Sequence, residues 1–210
     1  MRNNLTALAL LLGALIASQC ANAQGLVPTV PVLGNVGGYD SGSAPYAIAT
    51  PAASSHTAGS ALGPTTATAI GGIWTIPLLR TAGGGAILTQ LQMQAIGGDA
   101  ASGYWYLFDR LPTNSGFTCE DATAFAFGSS TGYATDRAHL ITPPFTMTLA
   151  ALGQATGDAA SYQAQGFTPP ISVHNQDGTP AQNIYGCFKL TAILTPSGSP
   201  FIVNASGPQD

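Results

Sequence analysis

A chain of 210 residues with one lysine, Lys189, and one glutamate, Glu120, has almost nothing from which to build the exposed face of an amphipathic helix. Charged residues amount to 7%, against roughly 25% in ordinary soluble domains. Strand-and-turn material is plentiful instead, with 26 glycines and 15 prolines punctuating stretches of Thr, Ala and branched apolar residues. Helical bundles, coiled coils and charge-rich disordered chains are thereby excluded. Hydrophobic residues make up 45%, enough for a packed core. Five basic residues cannot neutralise a track of phosphates, so nucleic acid is not an expected partner.

Residues 1–23 read as an export signal peptide. Arg2 supplies the positive start, Leu5 to Ala17 form the apolar run, and Ala21-Asn22-Ala23 places small residues where a signal peptidase reads them. The run is shorter than the about 20 apolar residues of a transmembrane helix. No other stretch comes near that length, so no membrane span is expected after cleavage. An uncleaved apolar anchor is the alternative. A lipoprotein at Cys20 meets Gln19 where a small residue is required. Cleavage after Ala23 removes Arg2 and Cys20, leaving four basic residues against nine acidic ones, a net charge of −5. Cys119 and Cys187 remain. In the oxidising surroundings of an exported chain (periplasm, cell surface or exterior) they are expected to form one disulfide. Two thiols too distant to bridge are the alternative.

Residues 24–68 are rich in Pro, Gly, Ser, Thr and Ala with scarcely any periodicity, and read as a flexible arm. Within it Val27 to Val32 is extended by its prolines. From residue 69 to 210 the pattern is that of strands. Ile73 to Ile76 opens the core. Ile87, Thr89, Leu91, Met93 and Ala95 share one parity and Gln90, Gln92 and Gln94 the other, which predicts a half-buried strand with a glutamine-lined outer face. Tyr104 to Phe108 is apolar on both parities and reads as a central strand buried on both sides. Phe145, Met147 and Leu149 alternate with threonines, and Ile171 and Val173 with Ser172 and His174. The last strand is expected from about Ile184 to Leu194. The whole predicts an all-β fold, an antiparallel β-sandwich or jelly roll.

Motifs that could carry chemistry are few. Gly128-Ser129-Ser130-Thr131-Gly132 matches G-x-S-x-G, and Asp158 and His174 follow in the order of an α/β-hydrolase triad, with Ser130 as nucleophile. That elbow needs alternating strands and helices, which this composition lacks, so a plain glycine loop is the expected structure. His56, His139 and His174 show no metal-ligand spacing, and no metal or cofactor is expected. The adjacent carboxylates of Glu120 and Asp121 point opposite ways in an extended chain, unlike a paired acid and base. Trp74, Tyr104, Trp105 and Tyr106 are candidates for a sugar-stacking platform, although both tryptophans sit in strongly apolar strands where core packing is the default.

From Gly71 onward the order of features resembles that of small β-rich phage virion proteins, head-decoration and other minor structural components. The resemblance rests on Gly71-Gly72-Ile73-Trp74-Thr75-Ile76, on Gly83-Gly84-Gly85 leading into a strand, and on Leu107-Phe108-Asp109 followed by Pro112-Thr113-Asn114 and Phe117-Thr118. Asp121 to Phe125 and Ile184-Tyr185-Gly186 complete it, over about two-thirds of the chain in loose spacing. It implies a structural role and carries over no catalytic residue.

The expected function is therefore that of a non-enzymatic, exported structural or assembly protein, whose partner is a second copy, a surface or a virion. An uncharged surface avoids the desolvation cost of burying Lys and Glu in subunit contacts. The alternatives are a carbohydrate- or surface-binding module, and a secreted serine hydrolase acting through Ser130.

Overall fold

The structure is a computed structural model that describes residues 46–65, 72–78, 85–114, 116–128, 130–151, 160–174 and 183–208. The chain divides into units 1–32 and 33–210, and every described residue belongs to the second. The expected signal peptide lies outside the described residues. In chain order the elements are β1 (Ala47–Ala49), β2 (Ala61–Leu62), β3 (Trp74–Pro77), β4 (Gly85–Ala95), β5 (Ser102–Phe108), α1 (Ser130–Arg137), β6 (Phe145–Thr148), β7 (Ala150–Ala151), β8 (Ser161–His174), β9 (Asn183–Leu190) and β10 (Phe201–Ser206).

Two antiparallel sheets pack face to face. The first runs β1-β10-β4-β8-β7 and the second β2-β9-β5-β6, with β3 also paired to β9. The pairs nest: β5–β6 lies inside β4–β8, inside β3–β9, inside β1–β10. This is an antiparallel ribbon wound into two layers, closed by the β10–β4 and β9–β5 contacts, and its winding is that of a jelly roll. The all-β sandwich expected from composition and alternation is the fold.

The core follows from strand parity. Leu91, Met93 and Ala95 of β4 and Phe201, Val203 and Ala205 of β10 point inward to meet Trp105 and Leu107 of β5, Phe188 and Leu190 of β9, and Trp74 and Ile76 of β3. A second buried cluster lies on the far side of the second sheet, where Phe108, Tyr185 and Cys187 meet Phe117 and Cys119 from the β5–α1 connection. β5 is central, as its composition implies. Its outer cover is partial, since Tyr104 remains exposed while Phe108 is buried.

Several expectations change. Residues 46–65, read as part of a loose arm, belong to the sandwich: β1 edges the first sheet, β2 joins the second, and Ala61 and Leu62 are fully buried. The β4 alternation holds from Gln90 to Ala95, but Ile87 is exposed, and Ala86 and Leu88 face the core in its place. The change lies in β4 itself, where the step from Leu88 to Gln90 passes from the inner to the outer face while the even residues of β8 keep to the outer face throughout. Leu88 pairs with Ile171 and Gln90 with Gly166, so Thr89 alone stands against Phe167 to Pro170. Pro169 and Pro170 have no N–H to offer a ladder; the pairing breaks at this point, and the parity of β4 is reversed across the break. Phe167 is sent across to Phe145 of β6, with ring centroids 5.2 Å apart. β9 ends at Leu190 rather than Leu194, and a further strand, β10, follows. Finally, the glycine loop expected at Gly128 to Gly132 gives way at Ser130 to the helix α1.

Candidate functional site

Chemistry-bearing side chains gather on the outer face of the second sheet, and the disulfide explains why. β9 directs Tyr185, Cys187 and Lys189 to the face away from the main core, and β5 places Tyr106 opposite Cys187 and Tyr104 opposite Lys189. Cys187 is bonded to Cys119, which pins the connection after β5 over one end of this face. Next to Cys119, Thr118 and Ala126 exchange two backbone hydrogen bonds of 2.8 and 3.1 Å. That short ladder delivers Phe125 and Phe127 beside Tyr106, at centroid distances of 4.5 and 5.7 Å. The disulfide expected from the cysteine count is thus present, and it holds the cover in place.

A second brace fixes the same cover. Asp121, two residues past Cys119, accepts hydrogen bonds from Ala52 N at 2.8 Å, Gly63 N at 3.0 Å and His56 Nε2 at 2.9 Å. His56 Nδ1 donates to the Ser54 carbonyl at 2.8 Å, and the His56 and Asp121 side chains are 0% and 3% exposed. The pair ties residues 52–63 to the cover. Asp121 is thereby committed to this brace. His139, beyond α1, donates through Nδ1 to Asp109 Oδ1 at 2.8 Å. Neither pair was visible in the sequence, since 65 and 30 residues separate the partners.

The sequence candidates for catalysis do not converge. Ser130 is the first residue of α1, whose ends flank the outer side of the second sheet. His174 ends β8 opposite Gly85, exposed on the outer face of the first sheet, so the core separates the two. Asp158 lies outside the described residues. His139 and Asp109 have the orientation of a triad base and its orienting acid. Among the described residues, however, no hydrogen bond links His139 to a serine, threonine or cysteine hydroxyl or thiol. No group of three or more metal-ligating side chains occurs among the described residues.

The tryptophan platform is not formed. Trp74 and Trp105 are both 0% exposed and meet edge to face in the core at 6.1 Å. Trp74 Nε1 donates to the Leu62 carbonyl at 2.9 Å. A sugar cannot stack on rings that the two sheets enclose.

The outer face of the first sheet is a surface of another kind. Successive cross-strand rows read Ile48, Ile202, Gln94, Tyr162 and Ala150, then Asn204, Gln92 and Ala164, then Ser206, Gln90 and Gly166. Ile87, Ser172 and His174 extend it past the bulge. No Asp, Glu, Lys or Arg projects from it among the described residues. Ile48 is 56% exposed, and Gln92 Nε2 donates to Gln90 Oε1 at 2.9 Å along the central strand.

No protein-family model matches the chain, and no curated protein matches it. No helix among the described residues is long and apolar enough to cross a membrane.

Proposed function

We propose that this is a non-enzymatic, exported structural protein that assembles with further copies of itself, at a surface or in a virion. The observation that carries this reading is the uncharged outer face of the first sheet. In a two-fold contact the same face meets itself, so any net charge would be opposed by its own copy. A face of Gln, Asn, Ser, Ile and Tyr meets no such penalty, and its amides pair across the join. Five strands at about 4.8 Å spacing, along the six-residue register of β10 and β4, present on the order of 400 Å² in projection. The extension through Ile87 and His174 and the relief of the side chains bring this toward the roughly 800 Å² per partner of a standard interface.

The outer strands β1, β7, β2 and β6 have only three, two, two and four residues, which blunts those edges. The disulfide suits an oxidising compartment. The resemblance to virion proteins agrees with a jelly roll, a winding shared by capsid and lectin domains.

Light scattering at low salt and at about 1 M salt tests the reading, the latter reducing the Debye length to about 3 Å. Stable oligomers are expected at both salts, and a Gln92→Lys/Gln94→Lys variant should be monomeric. A monomeric parent, an assembly that salt dissolves, or a variant that assembles unchanged would each refute it. Labelling of Ser130 by a fluorophosphonate in the folded protein would overturn the non-enzymatic part.

A further inference from the structure

The outer face of the second sheet holds a groove of about 380 Å³, separate from the assembly face. Small-molecule sites span about 300–1,000 Å³. Its floor is Tyr106 and Lys189, its near wall is Phe125 and Phe127 from the disulfide-pinned cover, and its far wall includes Arg137 and Leu140. The three aromatic rings pack against one another, with Phe125 and Phe127 at 5.2 Å and 75°, so they form a firm apolar surface.

Charge is what distinguishes this groove. The chain has five basic residues, and two of them, its one lysine and Arg137, line it. Among the described residues no acidic side chain does. Asp136, the neighbour of Arg137 on α1, is buried and is not part of the lining. Lys189 is half-buried in a strand whose neighbouring side chains, Phe188 and Leu190, are fully enclosed. Its ammonium lies 5.9 Å from the Phe125 ring centroid and makes no ion pair among the described residues. A half-buried ammonium facing an aromatic wall, with no carboxylate to neutralise it, is an arrangement complementary to an anion carried on an apolar ring.

We propose that this groove binds a small ring-bearing organic carboxylate, with the ring against Phe125 and Tyr106 and the carboxylate on Lys189 and Arg137. The ligand chemistry is common to aromatic acids and to uronic-acid sugars, whose C–H faces also stack on aromatic rings. Each anchor supplies half of the selectivity. The ring alone lacks the charge-assisted hydrogen bonds, and a bare small anion lacks the apolar contact.

Calorimetric titration of the disulfide-bonded protein with 2-naphthoate, glucuronate and the neutral 2-naphthalenemethanol tests this. One or both carboxylates should bind saturably at one site per chain, and the tighter of the two identifies the source. The neutral alcohol should bind at least about tenfold more weakly than 2-naphthoate, the loss expected for one charge-assisted contact. Lys189→Met should weaken carboxylate binding by a similar factor at unchanged thermal stability. If that variant does not fold, Arg137→Gln at the exposed end of α1 should produce a several-fold loss. Absence of saturable binding by both carboxylates at millimolar concentration would overturn the proposal. So would equal binding of the neutral alcohol, or cation variants that bind like the parent.

Discussion

Removing the disulfide should be the most destabilising covalent change available to this fold. Cys119 and Cys187 are 68 residues apart, so their bond withholds from the unfolded chain the freedom of a long loop. The loop-closure relation puts the effect at about 4 kcal/mol for that separation. Both cysteines are fully buried, so a Cys119→Ala/Cys187→Ala variant also leaves small voids, worth on the order of 1 kcal/mol. At about 2–4 °C per kcal/mol for a domain of this size, the melting temperature should fall by about 10–20 °C. Urea unfolding should show a second signature, a larger denaturant slope, because the unlinked unfolded chain expands and exposes more surface. The parent protein in reductant should match the variant in both respects. A loss under about 1 kcal/mol with an unchanged slope would refute the view that this bond acts by confining the unfolded chain.

Three further outcomes test the packing. A β-carbon on Gly186 would stand 2.7 Å from Trp105 Cζ3, so Gly186→Ala should cost about 1–3 kcal/mol in chemical denaturation, and an unchanged midpoint would contradict the close approach. Asp121→Ala strands the Ala52 and Gly63 amides and the His56 ring, and should cost about 3 kcal/mol or more; calorimetry showing a neutral effect would mean the brace is unnecessary. Leu88→Ala should lose about 2–5 kcal/mol while Ile87→Thr stays within about 0.5 kcal/mol, and the reverse order would place the β4 bulge elsewhere.

What was legible in the sequence depended on the reach of the interaction responsible. The alternation from Gln90 to Ala95 is local, and it fixed both faces of β4 before any partner was known. The same strand misleads at Ile87, because its parity changes at Thr89 and Gln90, where it loses register with a neighbour some eighty residues away. β1 and β2 have only three and two residues and carry no period of their own. Val203, Phe188 and Asp121 hold them in place, all distant in the chain. β10, by contrast, is legible in its own residues, since Phe201, Val203 and Ala205 alternate with Ile202, Asn204 and Ser206. At the candidate site the cysteine pairing followed from counting. The convergence of Lys189 and Arg137 on Phe125 could not, because it requires the cover to be folded back by that same bond.

The nested winding sets a timetable for the ribosome. Synthesis delivers β1, β2, β3 and β4 first, yet their partners are β8, β9 and β10, which emerge last. Only β5 finds a neighbour early, in β6. The second layer cannot close until about residue 190 is free, nor the first until about residue 206, so the nascent polypeptide carries unpaired apolar strands through nearly its whole elongation. Losing β10 would therefore do more than shorten the molecule. It would leave β1 with no strand to join and expose a long flank of β4, converting a sandwich with short, blunt margins into one with an open, extended edge.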